Sequence, residues 1–299
     1  MAAVAPPLKT AVVTGTASPA GIGRACARAF VRAGYQVLGV DKMRLQDSEP
    51  DEALVARYKH TMLDISRPEE AGFVPAACEK NFGSQTVHVL INNAGIADPH
   101  MPTQAEAAVQ HWRVVIDTNL TGAFLMSLNV LPHMPAGQAA IVHVSATRAH
   151  QSEPHTEAYA AAKAGLLGLA HAQAVSLARK VRVNTVLPGW IDTSGDPSSL
   201  SAADHAWHPA GRVGRPEDVA QLCLFLADGE RAGFITGQEF VVDGGVSKKM
   251  VYPEEGEGEA AVGGAAPAPP PPPTSDDERP PVVWPDAPVC LHYSYSSGW

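Results

Sequence analysis

The fold class that the sequence predicts is α/β, a doubly wound, parallel, seven-stranded sheet in one domain, and three observations predict it. Apolar runs of strand length alternate with longer segments of helical periodicity through the first 245 residues. Most of these runs are continuously apolar and β-branched, as strands buried on both faces must be. Strands and helices that alternate along a chain join parallel neighbours through right-handed crossovers.

The first strand, 9–14 (KTAVVT), runs into Thr14-Gly15-Thr16-Ala17-Ser18-Pro19-Ala20-Gly21-Ile22-Gly23, and a helix follows near 22–33. Glycines here let the backbone approach a pyrophosphate, and the helix N-terminus offers it free N–H groups. The second strand, 35–41 (YQVLGVD), ends in Asp41, eighteen residues past Gly23. A carboxylate there accepts hydrogen bonds from an adenosine ribose and repels a 2′-phosphate, so NAD is expected before NADP. The adjacent Lys42 weakens that preference, and NADP is not excluded. A strand at 57–63, a helix near 67–81 and a strand at 86–91 (TVHVLI) come next. A long helical segment at 103–133, a strand at 139–145 (AAIVHVS) and a helix at 156–178 follow, then a strand at 180–187 (KVRVNTVL), a helix at 215–228 and a last strand at 238–242 (QEFVV). One domain absorbs all seven strands, so 299 residues do not require two.

The chain divides by composition into an N-terminal extension (1–7), a cofactor-binding domain (8–251) and a tail (252–299). The tail holds eleven of the 26 prolines and eight of the 31 acids but only one basic residue, Arg279, so it carries −7 of the net −9. Disorder is expected there, with a polyproline II stretch at Pro269–Pro273. Such a stretch, with Trp284, Tyr293, Tyr295 and Trp299 nearby, suits an SH3-like or WW-like partner or none. The near-neutral domain carries no basic stripe for nucleic acid. No run approaches the ~20 uninterrupted apolar residues of a bilayer span, and the N-terminus lacks the pattern of a secretory signal. Cys26, Cys78, Cys223 and Cys290 lie far apart, as reduced thiols in the cytoplasm do. His143, His150 and His155 lack metal-ligand spacing, so no metal is expected.

At Asn92-Asn93-Ala94-Gly95 and at Tyr159-Ala160-Ala161-Ala162-Lys163 the sequence resembles the classical short-chain dehydrogenase/reductase family. The resemblance covers about residues 8–245. It takes in the glycine turn, Asp64, Asn119 in DTNLTG, Pro188-Gly189 with Thr193, GRVGRPEDVA at 211–220 and ITGQEFVVDGG at 235–245. It implies a Rossmann domain with its active site at the C-terminal edge of the strands, and a homodimer or homotetramer. By resemblance Asp64 and Ile65 border the adenine, Asn93, Ala94 and Gly95 line the cofactor cleft, and Asn92 ties neighbouring strands together. Pro188, Gly189, Ile191 and Thr193 contact the nicotinamide amide and diphosphate, and Asn119 holds a water in a proton relay.

The chemistry also follows from the residues. Tyr159 and Lys163 are four apart and share a helix face. A phenol with a pKa of ~10 is a poor proton donor or acceptor near neutrality, and a neighbouring ammonium with an oxidised nicotinamide is expected to lower that value. Tyr159 then acts as acid/base at the substrate oxygen while Lys163 also holds the nicotinamide ribose. The expectation is an oxidoreductase that interconverts a secondary alcohol and a ketone on a small or medium, largely apolar molecule. Its rival is a catalytically weak NAD-binding scaffold or redox sensor acting through the tail.

Two departures from the family pattern stand out. Five residues separate Gly15 from Gly21 where three are usual, which widens the phosphate loop. The serine that commonly precedes the tyrosine by thirteen residues is Ala146. Ser145 is expected to replace it if the stretch from 146 to 158 carries one extra residue or a local bulge, with Thr147 as substitute. Segment 190–212 is the candidate lid, in which Trp190 and Trp207 line the pocket or anchor the loop. Small residues crowd the helix at 156–178, suiting either a partner helix or the chain's own sheet.

Overall fold

The computed structural model describes residues 8–45 and 52–251; the readings of 1–7 as an extension and of 252–299 as a disordered, partner-binding tail lie outside the described residues. Seven strands form one sheet: β1 (Thr10–Thr14), β2 (Gln36–Asp41), β3 (Tyr58–Met62), β4 (Val89–Asn92), β5 (Ala139–Val144), β6 (Val181–Pro188) and β7 (Glu239–Val242). Their order is β3-β2-β1-β4-β5-β6-β7, with every adjacent pair parallel. Each predicted strand is present. The fourth starts later than expected because residues ahead of it bond elsewhere, the Val87 N–H to the His133 carbonyl. The chain leaves β1 in one direction and returns to β4 on the other side, so a crevice opens at that reversal.

The helices among the described residues are α1 (Ile22–Arg32), α2 (Glu52–Arg57), α3 (Pro68–Ala71), α4 (Val74–Phe82), α5 (Ala105–Ile116), α6 (Gly122–Val130), α7 (Glu157–Ser176), α8 (Ala202–Trp207) and α9 (Pro216–Ala227). They cover both faces of the sheet. Ala11 and Val13 of β1 share a core with Ala25, Ala29 and Phe30 of α1 and with Val219 and Cys223 of α9. Val12, one residue along, points the other way, into a core with Val74 of α4, Met126 of α6 and Ala170 of α7. That alternation is why the strands read as continuously apolar. Burying a side chain such as Phe30 completely stabilises the fold by about 2 kcal/mol.

Two predicted helices are interrupted. The segment near 67–81 breaks between α3 and α4. The segment 103–133 is α5, a π-helical turn at Asp117–Thr121, α6 and a 3₁₀ turn at Leu131–His133. Ala105–His133 is, among the described residues, the one helical stretch apolar and long enough by composition to cross a membrane. Here it packs against α7 and the sheet. Some of the small residues of α7 are used within the chain: Ala158 and Ala162 pack with Val115 of α5, and Gly165 closes on Leu120, whereas Ala164 is exposed.

Candidate active site

A cleft of about 490 Å³ opens at the C-terminal edge of the sheet, beside the β1/β4 reversal. Of the predicted cofactor residues, Gly15, Gly21, Ile22, Asp41, Asn93, Ala94, Gly95, Pro188, Gly189, Ile191 and Thr193 line it. Ser145, Tyr159 and Lys163 line it as well. Gly23, Asp64, Ile65 and Asn119 do not.

The β1 side is held by hydrogen bonds from several directions. The Thr14 hydroxyl oxygen accepts from the backbone N–H of Asn93 and of Ala94, each at 2.9 Å, which fixes the end of β4 against β1. The Asn93 amide donates back to the Thr14 carbonyl at 2.9 Å. Gly23 stands behind the wall because its α-carbon abuts the Gly15 carbonyl, where any Cβ would collide. The widened loop is tied down rather than loose. Fully buried Arg24 donates to the carbonyls of Thr16 (3.0 Å) and Ala17 (3.2 Å), and Arg28 to that of Pro19 (2.9 Å). The Asp41 carboxylate accepts from the Ala17 and Met43 N–H groups, both at 2.9 Å. Asp41 therefore joins the loop to β2 while still facing the cleft.

The side chain of Asp64 accepts from the Ser66 N–H (3.0 Å) and hydroxyl (2.7 Å), within its own turn. Ile65 is buried against Gly122. Asn119 sits in the π-helical turn, closed by the Gly122 N–H donating to the Asp117 carbonyl. It is buried, accepts from the Ile96 N–H at 2.7 Å and donates to the Ile96 carbonyl at 3.2 Å, so its side chain fixes the cleft wall after β4. Such wide turns recur at functional sites. Asn92 ties strands together as expected, its amide lying 3.2 Å from His143 Nδ1 on β5.

On the β5 side the ionisable groups are poorly compensated. Lys163 is buried, with Nζ donating to the Val144 carbonyl at 3.0 Å and lying 5.5 Å from the Tyr159 ring centroid. Burial pulls its ammonium down to about 8. Burial likewise pushes the Tyr159 phenol above its ordinary value, with the Arg148 guanidinium acting in the opposite sense. The lowering expected from Lys163 is therefore not seen in the chain alone. Fully buried His143 is pulled down to about 4 by desolvation, and its Nε2 is 3.0 Å from the Gln173 side-chain oxygen.

β5 itself is regular up to the residue before Ser145. Its pairing with β6 runs without a skipped residue from Ala139↔Val181 to Val144↔Val186. The Ser145 hydroxyl donates instead to the Lys163 carbonyl at 2.7 Å. Thr147 is buried in the 3₁₀ turn Thr147–Ala149. The two candidate lid tryptophans separate: Trp190 lines the cleft against His208, whereas Trp207 lies under the Lys249 ammonium, 4.3 Å from its ring centroid. Ser18, Ile96, Ala97 and Val144 also line the cleft and went unmarked in the sequence. Ser18 had a signal, its place inside the glycine turn; the apolar three carried none.

The residues present fit a dinucleotide. Helix α1 is entered at Gly21 with no side-chain cap and no acid in its first turn; the Gly21 N–H donates to the Ser18 carbonyl, and the N–H groups of the turn that follows remain for a diphosphate. A family model described as enoyl-(acyl carrier protein) reductase matches residues 15–247. The chain is 40% identical over 258 residues to an uncharacterized oxidoreductase of Thermotoga maritima, covering 82% of this chain and 98% of that one. It is 37% identical over 244 residues to cis-4-hydroxycyclohexanecarboxylate dehydrogenase of Sinomonas cyclohexanicum, covering 79% and 96%. Ligand-free aldohexose dehydrogenase of Thermoplasma acidophilum superposes with a TM-score of 0.70 at 30% identity, covering 83% and 98%. The chain belongs to the short-chain dehydrogenase/reductase family. It is an oxidoreductase of CH–OH and keto groups, and the family uses a nicotinamide cofactor, NAD or NADP.

Proposed function

We propose that the chain is NAD(H)-dependent and interconverts a secondary alcohol and a ketone on a small or medium, largely apolar molecule. The observation that carries this is one cleft lined at once by Asp41 and by the Tyr159–Lys163 pair. The N–H group at Ile22, beside Gly21, would hold the diphosphate, Asp41 the adenosine ribose and Lys163 the nicotinamide ribose, with Pro188, Gly189, Ile191 and Thr193 at the nicotinamide end. When bound, the cofactor gives or takes the hydride. Tyr159 gives its proton to the carbonyl oxygen in reduction and removes the hydroxyl proton in oxidation. Lys163 passes the proton onward to a water that Asn119 would hold.

Ser145 enters the chemistry only by leaving the Lys163 carbonyl, and Thr147 is buried, so the substrate oxygen is assigned to Tyr159. The dehydrogenase of Sinomonas acts on a ring alcohol, which supports an alicyclic substrate here. A homodimer or homotetramer is the proposed assembly, checked by light scattering.

The test is NADH oxidation against a panel of ketones. Tyr159→Phe is expected to lose about 10³-fold in turnover with NADH affinity kept. Tight NADH binding without Tyr159-dependent turnover on any compound overturns this reading in favour of a scaffold. Tenfold tighter binding of NADPH than of NADH overturns the role of Asp41.

A further inference from the structure

His60 stands in β3 opposite Gly39 of β2, half-buried and behind the cleft wall rather than in it. Its imidazole has partners at both nitrogens. Nε2 lies 2.9 Å from the Met43 carbonyl oxygen, which can only accept, so Nε2 carries the proton and Nδ1 is left as an acceptor. The hydroxyls of Thr16 and Tyr58 each approach that acceptor at 3.4 Å. They share the space above Gly39, where any Cβ would collide with both oxygens. Thr16 belongs to the loop after β1 and Met43 to the loop after β2. These are the two segments that hold Asp41: one carboxylate oxygen accepts from the Ala17 N–H and the other from the Met43 N–H, each at 2.9 Å. His60 thus closes a ring of contacts that runs from Asp41 through Ala17 and Thr16 to the imidazole and back through Met43.

We propose that His60 is a positioning residue for the cofactor: by tying the Thr16 loop to the Met43 loop it holds the Asp41 carboxylate where the adenosine ribose binds, and so sets the affinity for the adenosine half of the dinucleotide. This rests on the ribose role proposed for Asp41. Each loop on its own meets the carboxylate through one N–H, so a shift of either loop turns the carboxylate. A neutral imidazole between them makes their positions interdependent, because its Nε2–H donates to one loop while its Nδ1 accepts from the other. The glycine loop is two residues longer than usual, which raises the entropy lost when it is ordered, so an added tie matters more. The reacting groups stand elsewhere: Lys163 is anchored on β5, four strands across the sheet from β3, about 19 Å at ~4.8 Å per strand. The effect is therefore confined to cofactor affinity and leaves the chemical step alone.

The experiment measures, on the full chain, the dissociation constants of NADH, by its fluorescence, and of ADP-ribose, by competition. In parallel it compares ketone reduction by NADH with reduction by reduced nicotinamide mononucleotide, which lacks the adenosine half. His60→Phe keeps a ring of similar size without either bond. It is expected to bind NADH and ADP-ribose about tenfold more weakly, the effect of losing two hydrogen bonds, with kcat at saturating NADH and turnover with the mononucleotide within about twofold of the parent. His60→Gln, whose amide still donates to the Met43 carbonyl, recovers most of the affinity. Thr16→Val, which removes a hydroxyl at nearly constant volume, loses about threefold in the same titrations and keeps the proposal testable if His60→Phe does not fold. NADH and ADP-ribose binding unmoved in His60→Phe or in Thr16→Val, a His60→Gln variant as weak as His60→Phe, or mononucleotide turnover that falls as far as kcat/KM for NADH overturns the proposal. Failure of the ribose role of Asp41 would show separately, as an Asp41→Ala variant that binds ADP-ribose as tightly as the parent.

Discussion

Where β1 meets α1, the polar side chains that shape the cleft are committed. Thr14 and Asn93 lock two strand ends, Arg24 and Arg28 hold loop carbonyls, and Asp41 holds two backbone N–H groups. Where β5 meets α7, the same cleft is walled by the buried ammonium of Lys163 and the half-buried phenol of Tyr159. The first region is preorganised to receive a ligand that keeps its charge. By the roles proposed for Tyr159 and Lys163 the second changes protonation during turnover, and burial holds both groups away from their ordinary values. Stability and chemistry are thus concentrated on opposite sides of one crevice.

The sharpest way to break this contrast is Gly23→Ala. The new methyl would meet the Gly15 carbonyl and stand 2.7 Å from the Asn93 amide, so backbone must move. A loss of about 3 kcal/mol in denaturant melts is expected, with NADH affinity falling alongside. Unchanged binding would mean that the β1 side is not rigid.

Acid probes the other side. His143 is neutral when folded down to about pH 4, whereas the unfolded chain takes up the proton below about 6.5, so stability falls as pH drops through that window. The full loss is about 3 kcal/mol. His143→Gln is expected to flatten that slope in melts taken between pH 7 and 4.

Lys163→Met sharpens the contrast in the opposite sense. The folded state disfavours the ammonium, with its value pulled from 10.5 to about 8. Below pH 8 the whole penalty is present, about 3 kcal/mol; it is relieved as pH rises from 8 toward 10.5, where the unfolded chain loses its proton too. Orphaning the Val144 carbonyl takes back about 1 kcal/mol. A net gain of about 2 kcal/mol at pH 7, turning into a loss of about 1 kcal/mol above pH 10.5, is expected from thermal melts of a variant without turnover. Ser145→Ala is the smallest change: about 1 kcal/mol from the lost bond to Lys163, and less than about tenfold in kcat. A loss near 10²-fold in steady-state assays would return Ser145 to the substrate oxygen.

The strands were legible because burial on both faces leaves a continuous β-branched run, and the Tyr159–Lys163 pair because helical spacing alone puts both on one face. Asp41 was legible as a strand-end carboxylate, but its bonds to Ala17 and Met43 were not, since they depend on how the widened loop folds back. The π-helical turn left no mark in a pattern read at 3.6 residues per turn. The commitment of Ser145 was hidden for a further reason. Its partner is a backbone carbonyl eighteen residues away, brought near only when α7 docks on β5.

The wide turn at 117–121 also bears on how this region tolerates change. Its buried positions step by four, from Val115 to Asn119 to Ala123, a stride that the wider turn accommodates. Deleting any single residue there would yield a more regular helix and a worse protein. One flank would rotate by about 100° relative to the other, taking either the apolar seam or Asn119 out of register. The segment acts as a spacer whose length matters more than its composition, so substitutions at its exposed positions are expected to cost less than the loss of a single residue.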